Sequence, residues 1–194
     1  MTGRPRQTHC KRGHPLADAH VTLTRTLYTW EDDGLLIFQS CVPESINRRI
    51  VADLALLRAG PCHELLQKVP AAAAVLNDPI VKQAVAVALG EGAAADLCRH
   101  VHESGDDDGP WHQDDYCGQP WPLSPRRVIL CYFPQDTPEA MGPTEVRSLR
   151  GDEILVTGPA GTCLLMRHDL WHRATANRTL RRRFMLKFLF IEGR

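Results

Sequence analysis

After residue 95 the chain breaks into short β-rich runs divided by turn residues, and this rhythm constrains the fold more than any other feature. The runs are LCRHVHE, WHQDDYC, RRVILCYF, TEVRSL, DEILVTG, GTCLLMRH and RRFMLKFLFI, and the separators include SGDDDGP, GQPWPLSP, PQDTPEAMGP, RG and GPA. Many short strands at short, regular spacing specify an all-β sandwich or barrel. The preceding stretch reads differently. GLLIFQS (34–40) has the length of one buried strand. Pro43 then opens a helix on which Ile46, Ile50, Leu54 and Leu57 recur at helical spacing, ended by Gly60-Pro61. A shorter helix fits at 61–69, and the alanines at 71–74 continue one. Asn77 or Asp78 caps a further helix that begins at Pro79, carries Val81, Val85 and Leu89 on one face and stops at Gly90. The expectation is a mainly β fold with N-terminal helices (α+β). A single domain spans 27–194, helical over about 43–95 and β over about 96–191, behind a basic tail at 1–26.

A chain of 194 residues fits one domain, which buries roughly 70% of the surface its unfolded form exposes. Its formal net charge of +0 makes no electrostatic case for nucleic acid or membrane as a partner. No apolar run approaches the ~18–20 residues of a membrane span, and the start MTGRPRQTHCKRGHPL does not read as a secretory signal. The 7 cysteines are scattered, odd in number and never in a C-x-x-C pair, so reduced thiols in a cytoplasmic setting are expected. In the tail, Cys10 and His14 of HCKRGHPL resemble the first half of a zinc-bound HNH-type or treble-clef module. Zinc wants four ligands, commonly with a later C-x-x-C, and none follows. A solvated tail is the plainer reading; the alternative is an enzyme directed to nucleic acid by this basic segment.

The chemistry concentrates at WHQDDY (111–116). In a strand, residues i and i+2 share a face, so His112 and Asp114 aim a nitrogen and an oxygen at one point. One more imidazole completes a 2-His-1-carboxylate set with open positions, which suits non-haem Fe(II). Leu164, Met166, His168, Leu170 and His172 share parity, so periodicity leaves both His168 and His172 as third ligand. Arg181, Arg182 and Arg183 open the last strand, and an inward arginine offers a planar fork for a carboxylate.

The ordered set WHQDD, RRVILCYFPQDTPEAMGPTEV and GPAGTCLLMRHDLWHRATANRTLRRRFMLKF resembles the phytanoyl-CoA dioxygenase family of Fe(II)/2-oxoglutarate oxygenases. EDDGLLIFQSCVPESINRRIVADL resembles the family's opening strand and helix, so the likeness covers roughly residues 28–191. It implies a double-stranded β-helix (a jelly-roll, cupin-like core) with helices packed on it. It implies iron held by His112, Asp114 and His172, the last in a histidine context that Asn177 follows. It implies that Arg183, eleven residues after that histidine, pairs the far carboxylate of 2-oxoglutarate. The implied reaction consumes O2, converts 2-oxoglutarate to succinate and CO2, and hydroxylates a small molecule. Related halogenases place a small residue at the position of Asp114, so this carboxylate implies hydroxylation. Where some members carry a hydroxyl two residues after the distal histidine, this chain has Ala174, and Thr175 is the next candidate for contact with 2-oxoglutarate.

Other readings compete. His100 and His102 with Glu103 would start a cupin-like metal site, but the expected later glutamate and histidine spacing is missing. A jelly-roll binder without chemistry would keep the shape and lose a ligand. Trp111 and Trp121 flank the ligand strand and are candidate pocket walls, together with Asn177. Cys117 and Cys131 read as small buried apolar residues. Lys187 shares strand parity with Arg183 and is a second candidate for a carboxylate. The substrate-selecting regions are expected at 60–105, 117–126 and 134–142, with a small polar or amino-acid-like substrate.

Overall fold

The computed structural model describes residues 28–103, 105–114 and 125–193, with the backbone alone over 96–100. The basic tail with Cys10 and His14, and the residues Asp115, Cys117 and Trp121, lie outside that range.

The chain forms α1 (Trp30–Asp33), β1 (Leu35–Gln39), α2 (Glu44–Leu54), β2 (Gly60–Pro61), α3 (Leu65–Lys68), a 3-10 turn at Pro70–Ala72, α4 (Ala73–Asn77) and α5 (Pro79–Leu89). The strands β3 (Ala94–Glu103), β4 (Arg127–Phe133), β5 (Thr144–Arg147), β6 (Glu153–Val156), β7 (Thr162–Arg167), β8 (His172–Ala174) and β9 (Phe184–Ile191) follow. Asp78 is the cap of α5: its side chain accepts from the backbone N–H groups of Ile80 (2.9 Å) and Val81 (3.1 Å). Those N–H groups have no partner inside the helix, so the cap stabilises it by roughly 1 kcal/mol.

Two antiparallel sheets result, a six-stranded one in the order β1-β7-β4-β9-β3-β2 and a three-stranded one in the order β6-β5-β8. The chain passes from the large sheet at β4 to the small one at β5 and β6, returns at β7, crosses again at β8 and returns at β9. This alternation is the double-stranded β-helix, or jelly roll. The helices cover the outer face of the large sheet. Ile80, Val81, Ala84, Val85, Ala88 and Leu89 of α5 pack there with Val128, Leu130 and Tyr132 of β4. The other parity of β4, Ile129, Cys131 and Phe133, faces the space between the sheets and meets Val146, Ile154, Leu164 and Met166. Burial on both faces is why RVILCYF is a continuous apolar run.

In β9 the outer parity is Phe184, Leu186, Phe188 and Phe190, and the inner parity holds Met185 and Leu189. Lys187 shares that inner parity inside the strand, and Arg183 precedes it. These two cations are 5% and 1% exposed. Charges so deep between two sheets require anionic partners.

The structure departs from the expected layout in three places. β1 pairs with β7 in the large sheet, so the β core is not confined to residues after 96. α2 ends at Leu54, and Gly60–Pro61 is instead a short strand on β3. Here Arg182 reaches across to donate to the Ala55 carbonyl (2.9 Å), one of the carbonyls a helix end leaves without an intrahelical partner. Finally, WHQDDYC is not a regular strand as far as it is described: only His112 forms a bridge, to His172. Among the described residues no single helix is long and apolar enough to cross a membrane.

Candidate metal centre

The segment 105–112 runs beside β8. Asn177 N–H donates to the Gly105 carbonyl (2.8 Å), Gly109 N–H to Ala174 (2.8 Å), and His112 and His172 exchange both backbone bonds (3.0 and 2.9 Å). This pairing puts the two imidazoles side by side, with ring centroids 4.4 Å apart. Asp114 joins them: ligand-capable atoms of His112, Asp114 and His172 lie within 4.8 Å of one another, and His172 Nε2 is 3.9 Å from Asp114 Oδ2.

The backbone fixes which ring nitrogens are offered. His172 Nδ1 lies 3.0 Å from the Leu170 carbonyl, and His112 Nδ1 lies 3.0 Å from the Pro110 carbonyl. A carbonyl only accepts, so both Nδ1 atoms carry a proton, which leaves Nε2 of each ring as the atom that can ligate. This is the arrangement in which an outer carbonyl orients a metal-binding histidine. Burial pushes the His172 pKa down, against the Leu170 carbonyl and Asp114, so the ring is neutral at pH 7. Burial would raise the Asp114 carboxyl. The charge and hydrogen bonds of Lys187, with His172 and His112 adding, outweigh it and hold the group ionised. Two imidazole nitrogens and one carboxylate oxygen fit a divalent first-row metal.

His168 does not join this group. β7 ends at Arg167, whose guanidinium makes two bonds to Asp169 (2.9 and 2.7 Å), and β8 starts afresh at His172. The turn breaks the shared parity expected of His168 and His172. Nor do His102 and Glu103 form a cupin-like site. Among the described residues the one group of three or more ligand types is His112, Asp114 and His172, and Glu103 is paired with Arg182.

A cavity of about 60 Å³ opens beside His112 and His172. His112, His172, Thr144, Ala174, Arg183 and Lys187 contribute to its wall. Arg183 is the expected arginine, and it is the inward one: Arg181 and Arg182 are exposed. Its Nε donates to the Gly142 carbonyl (2.9 Å) and its guanidinium lies 5.9 Å from the Phe133 ring centroid. Gly142 has φ +71°, the left-handed region that favours glycine, so the turn presenting this carbonyl is glycine-dependent. Arg183 Nη1 is buried without a hydrogen-bond partner among the described residues. Burial lowers the Arg183 pKa to about 10, with Cys131 opposing, so it remains charged at neutral pH. A charged, unsatisfied donor on a cavity wall is the complement of a carboxylate.

Three expected site residues stand elsewhere. Thr175 is turned away from the cavity and donates from its hydroxyl to the Pro143 carbonyl (2.9 Å). The hydroxyl residue on the cavity wall is Thr144, directly opposite Ala174 in the β5–β8 register, and the sequence reading missed it. Trp111 does not wall the cavity either; its ring lies between the Arg147 and Arg173 guanidiniums, 4.8 and 4.9 Å from them. Asn177 shapes the approach to β9. It donates to the Arg181 carbonyl (2.8 Å) and accepts from Thr179, backbone (3.0 Å) and hydroxyl (2.7 Å). Lys187 does face the cavity, and its ammonium donates to both oxygens of Asp114 (3.0 and 2.9 Å).

No family model matches the chain, and no curated protein matches it by sequence. Solved structures do match in shape. The nickel complex of a non-haem monooxygenase, ThoJ, is 20% identical with a TM-score of 0.66, over 84% of this chain and 75% of that one. EctD from S. alaskensis, solved with 2-oxoglutarate and 5-hydroxyectoine, is 15% identical with a TM-score of 0.67, over 84% and 73%. SnoN, a non-haem α-ketoglutarate-dependent epimerase from nogalamycin biosynthesis, is 12% identical with a TM-score of 0.69, over 84% and 79%. At these identities the likeness establishes the fold: the chain shares its jelly roll with non-haem enzymes, some of them dependent on 2-oxoglutarate.

Proposed function

We propose that this chain is an Fe(II)- and 2-oxoglutarate-dependent dioxygenase that hydroxylates a small molecule, a cytoplasmic enzyme of the phytanoyl-CoA dioxygenase type. One observation carries the reading. His112 and His172, which Asp114 joins in one ligand-capable group, border the same cavity as Arg183, whose Nη1 has no hydrogen-bond partner among the described residues. The 2-oxoglutarate and non-haem character of the matched structures supports it.

His112 and His172 would hold iron through Nε2, and Asp114 through a carboxylate oxygen. Bound iron, with 2-oxoglutarate and O2, supplies the oxidising chemistry, releasing succinate and CO2. The protein binds, orients and excludes water. The Leu170 and Pro110 carbonyls keep both rings in the ligating tautomer. Arg183 pairs the far carboxylate of 2-oxoglutarate, and Thr144, rather than Thr175, supplies a hydroxyl on that wall. The carboxylate at Asp114 favours hydroxylation over halogenation, because Asp114 would itself serve as a ligand where halogenating relatives carry a small residue.

The test is aerobic incubation with Fe(II), 2-oxoglutarate and a panel of amino-acid derivatives and small polar metabolites. Succinate release should require Fe(II) and disappear in His112→Ala, and the product should gain one oxygen by mass. Equal succinate release by His112→Ala, or a chlorinated product, refutes the reading.

A further inference from the structure

So far Lys187 only holds Asp114 ionised, and its position is unusual. Lysine is almost never fully buried without a partner, yet this one stands on the inner face of β9, four residues from Arg183. Its ammonium holds both oxygens of Asp114, 3.0 and 2.9 Å away. One of these, Oδ2, is also the oxygen that faces His172 Nε2 at 3.9 Å. A metal that takes Asp114 as a ligand must therefore take an oxygen that Lys187 already bonds.

The charges around the cavity sharpen the point. Arg173 and Glu103, which also border it, are paired with Glu145 and Arg182. What remains among the described residues is Arg183 and Lys187 against Asp114, one positive charge in excess. A divalent metal at Asp114 adds two more and repels the ammonium in a setting where water screens little. Lys187 lies on the cavity wall and has a long flexible stem, so its ammonium can move without the strand moving.

We propose that Lys187 is a positioning residue that competes with the metal for Asp114 and, once displaced, pairs with the anionic co-substrate beside Arg183. Metal and dicarboxylate then bind as a coupled pair: the metal alone binds weakly, and the dianion receives the cation that the metal sets free. The exchange involves no bond-making beyond ligation and ion pairing. It rests on the iron-site reading above.

The test is calorimetric titration of folded protein with Co(II), with and without saturating 2-oxoglutarate, in the wild type and in Lys187→Met. Hydrogen bonds to a charged group are worth about 1.5–3 kcal/mol, so losing the competitor should tighten Co(II) alone by about tenfold or more. The enhancement of Co(II) binding by 2-oxoglutarate should shrink in the variant, and by reciprocity so should that of 2-oxoglutarate by Co(II). Equal or weaker Co(II) binding by Lys187→Met overturns the proposal while leaving the iron site standing. Folded wild type that binds no Co(II) overturns the iron site and the proposal together. If Lys187→Met fails to fold, Lys187→Gln serves in its place. Nitrogen NMR of lysine-labelled wild type gives an independent reading. The slowly exchanging buried ammonium should shift on adding Zn(II) and 2-oxoglutarate, and an unmoved signal with Zn(II) bound overturns the proposal.

Discussion

Replacing Arg183 by methionine should move stability and ligand affinity in different directions. Arg183 is 1% exposed, keeps one hydrogen bond to Gly142, and leaves Nη1 without a partner among the described residues. Losing the Gly142 bond costs about 0.5–1.5 kcal/mol. Removing a buried, unsatisfied charged donor returns about 1–3 kcal/mol, and methionine keeps most of the apolar stem's packing. The net runs from about 0.5 kcal/mol destabilising to about 2.5 kcal/mol stabilising. For a domain of this size the thermal midpoint falls by at most about 2 °C or rises by up to about 10 °C. Affinity for 2-oxoglutarate in the presence of Co(II) should fall by about 10–150-fold, the worth of a hydrogen bond to a charged group. Thermal unfolding followed by circular dichroism, and calorimetric titration of 2-oxoglutarate, read the two quantities. An ordinary structural arginine gives the reverse pattern, a midpoint several degrees lower and no change in 2-oxoglutarate affinity, and that result would refute the reasoning.

Trp111→Ala removes the ring held between Arg147 and Arg173, at about 0.5–1 kcal/mol for each cation–π contact, so the midpoint should drop by roughly 2–8 °C. Because that ring precedes His112, Co(II) binding should also weaken, which the same titration reads. His172 has a folded pKa below its unfolded value of about 6.5, so the unfolded chain takes up a proton that the folded site resists. Its stabilisation is complete above that pH and declines as pH falls below it; His172→Gln should flatten the slope of the thermal midpoint between about pH 6.5 and 5. Burial raises the Cys131 thiol to about 12 and Cys163 well above the ordinary value, whereas Cys41 is exposed. Iodoacetamide on native protein, followed by peptide mass spectrometry, should label Cys41 and spare the other two.

The strand-rich half, the helices before it and the pairing of an imidazole with a carboxylate at 112 and 114 are legible because each rests on a local signal. The doubly buried run RVILCYF, the Asp78-Pro79 cap and the H-x-D pair all lie within a few residues of themselves. Where contacts cross the sheets, the sequence was silent or misleading. Parity carried His168 and His172 to the same face, but the Arg167–Asp169 pair turns the chain between them. Thr175 stood next to Ala174 in sequence, whereas the hydroxyl on the cavity wall comes from Thr144 across the β5–β8 register. Register is set by the hydrophobic pattern and by turn geometry, and β5 and β8 pair with no turn joining them, so spacing along the chain does not give it. Trp111 was assigned to the pocket for being beside a ligand, yet adjacent residues of an extended segment face opposite ways. Lys187 was visible by parity with Arg183, but its grip on Asp114 depends on the 112–114 segment folding back onto β9.

The central claim is that His112, Asp114, His172 and Arg183 together hold iron and 2-oxoglutarate. Its most direct test is anaerobic titration of Fe(II) and 2-oxoglutarate followed by visible absorbance. The account predicts the weak charge-transfer band of iron-chelated 2-oxoglutarate in the wild type, its loss in His112→Ala, and a need for far more 2-oxoglutarate in Arg183→Met. A folded wild type that shows no band at saturating Fe(II) and 2-oxoglutarate would contradict it.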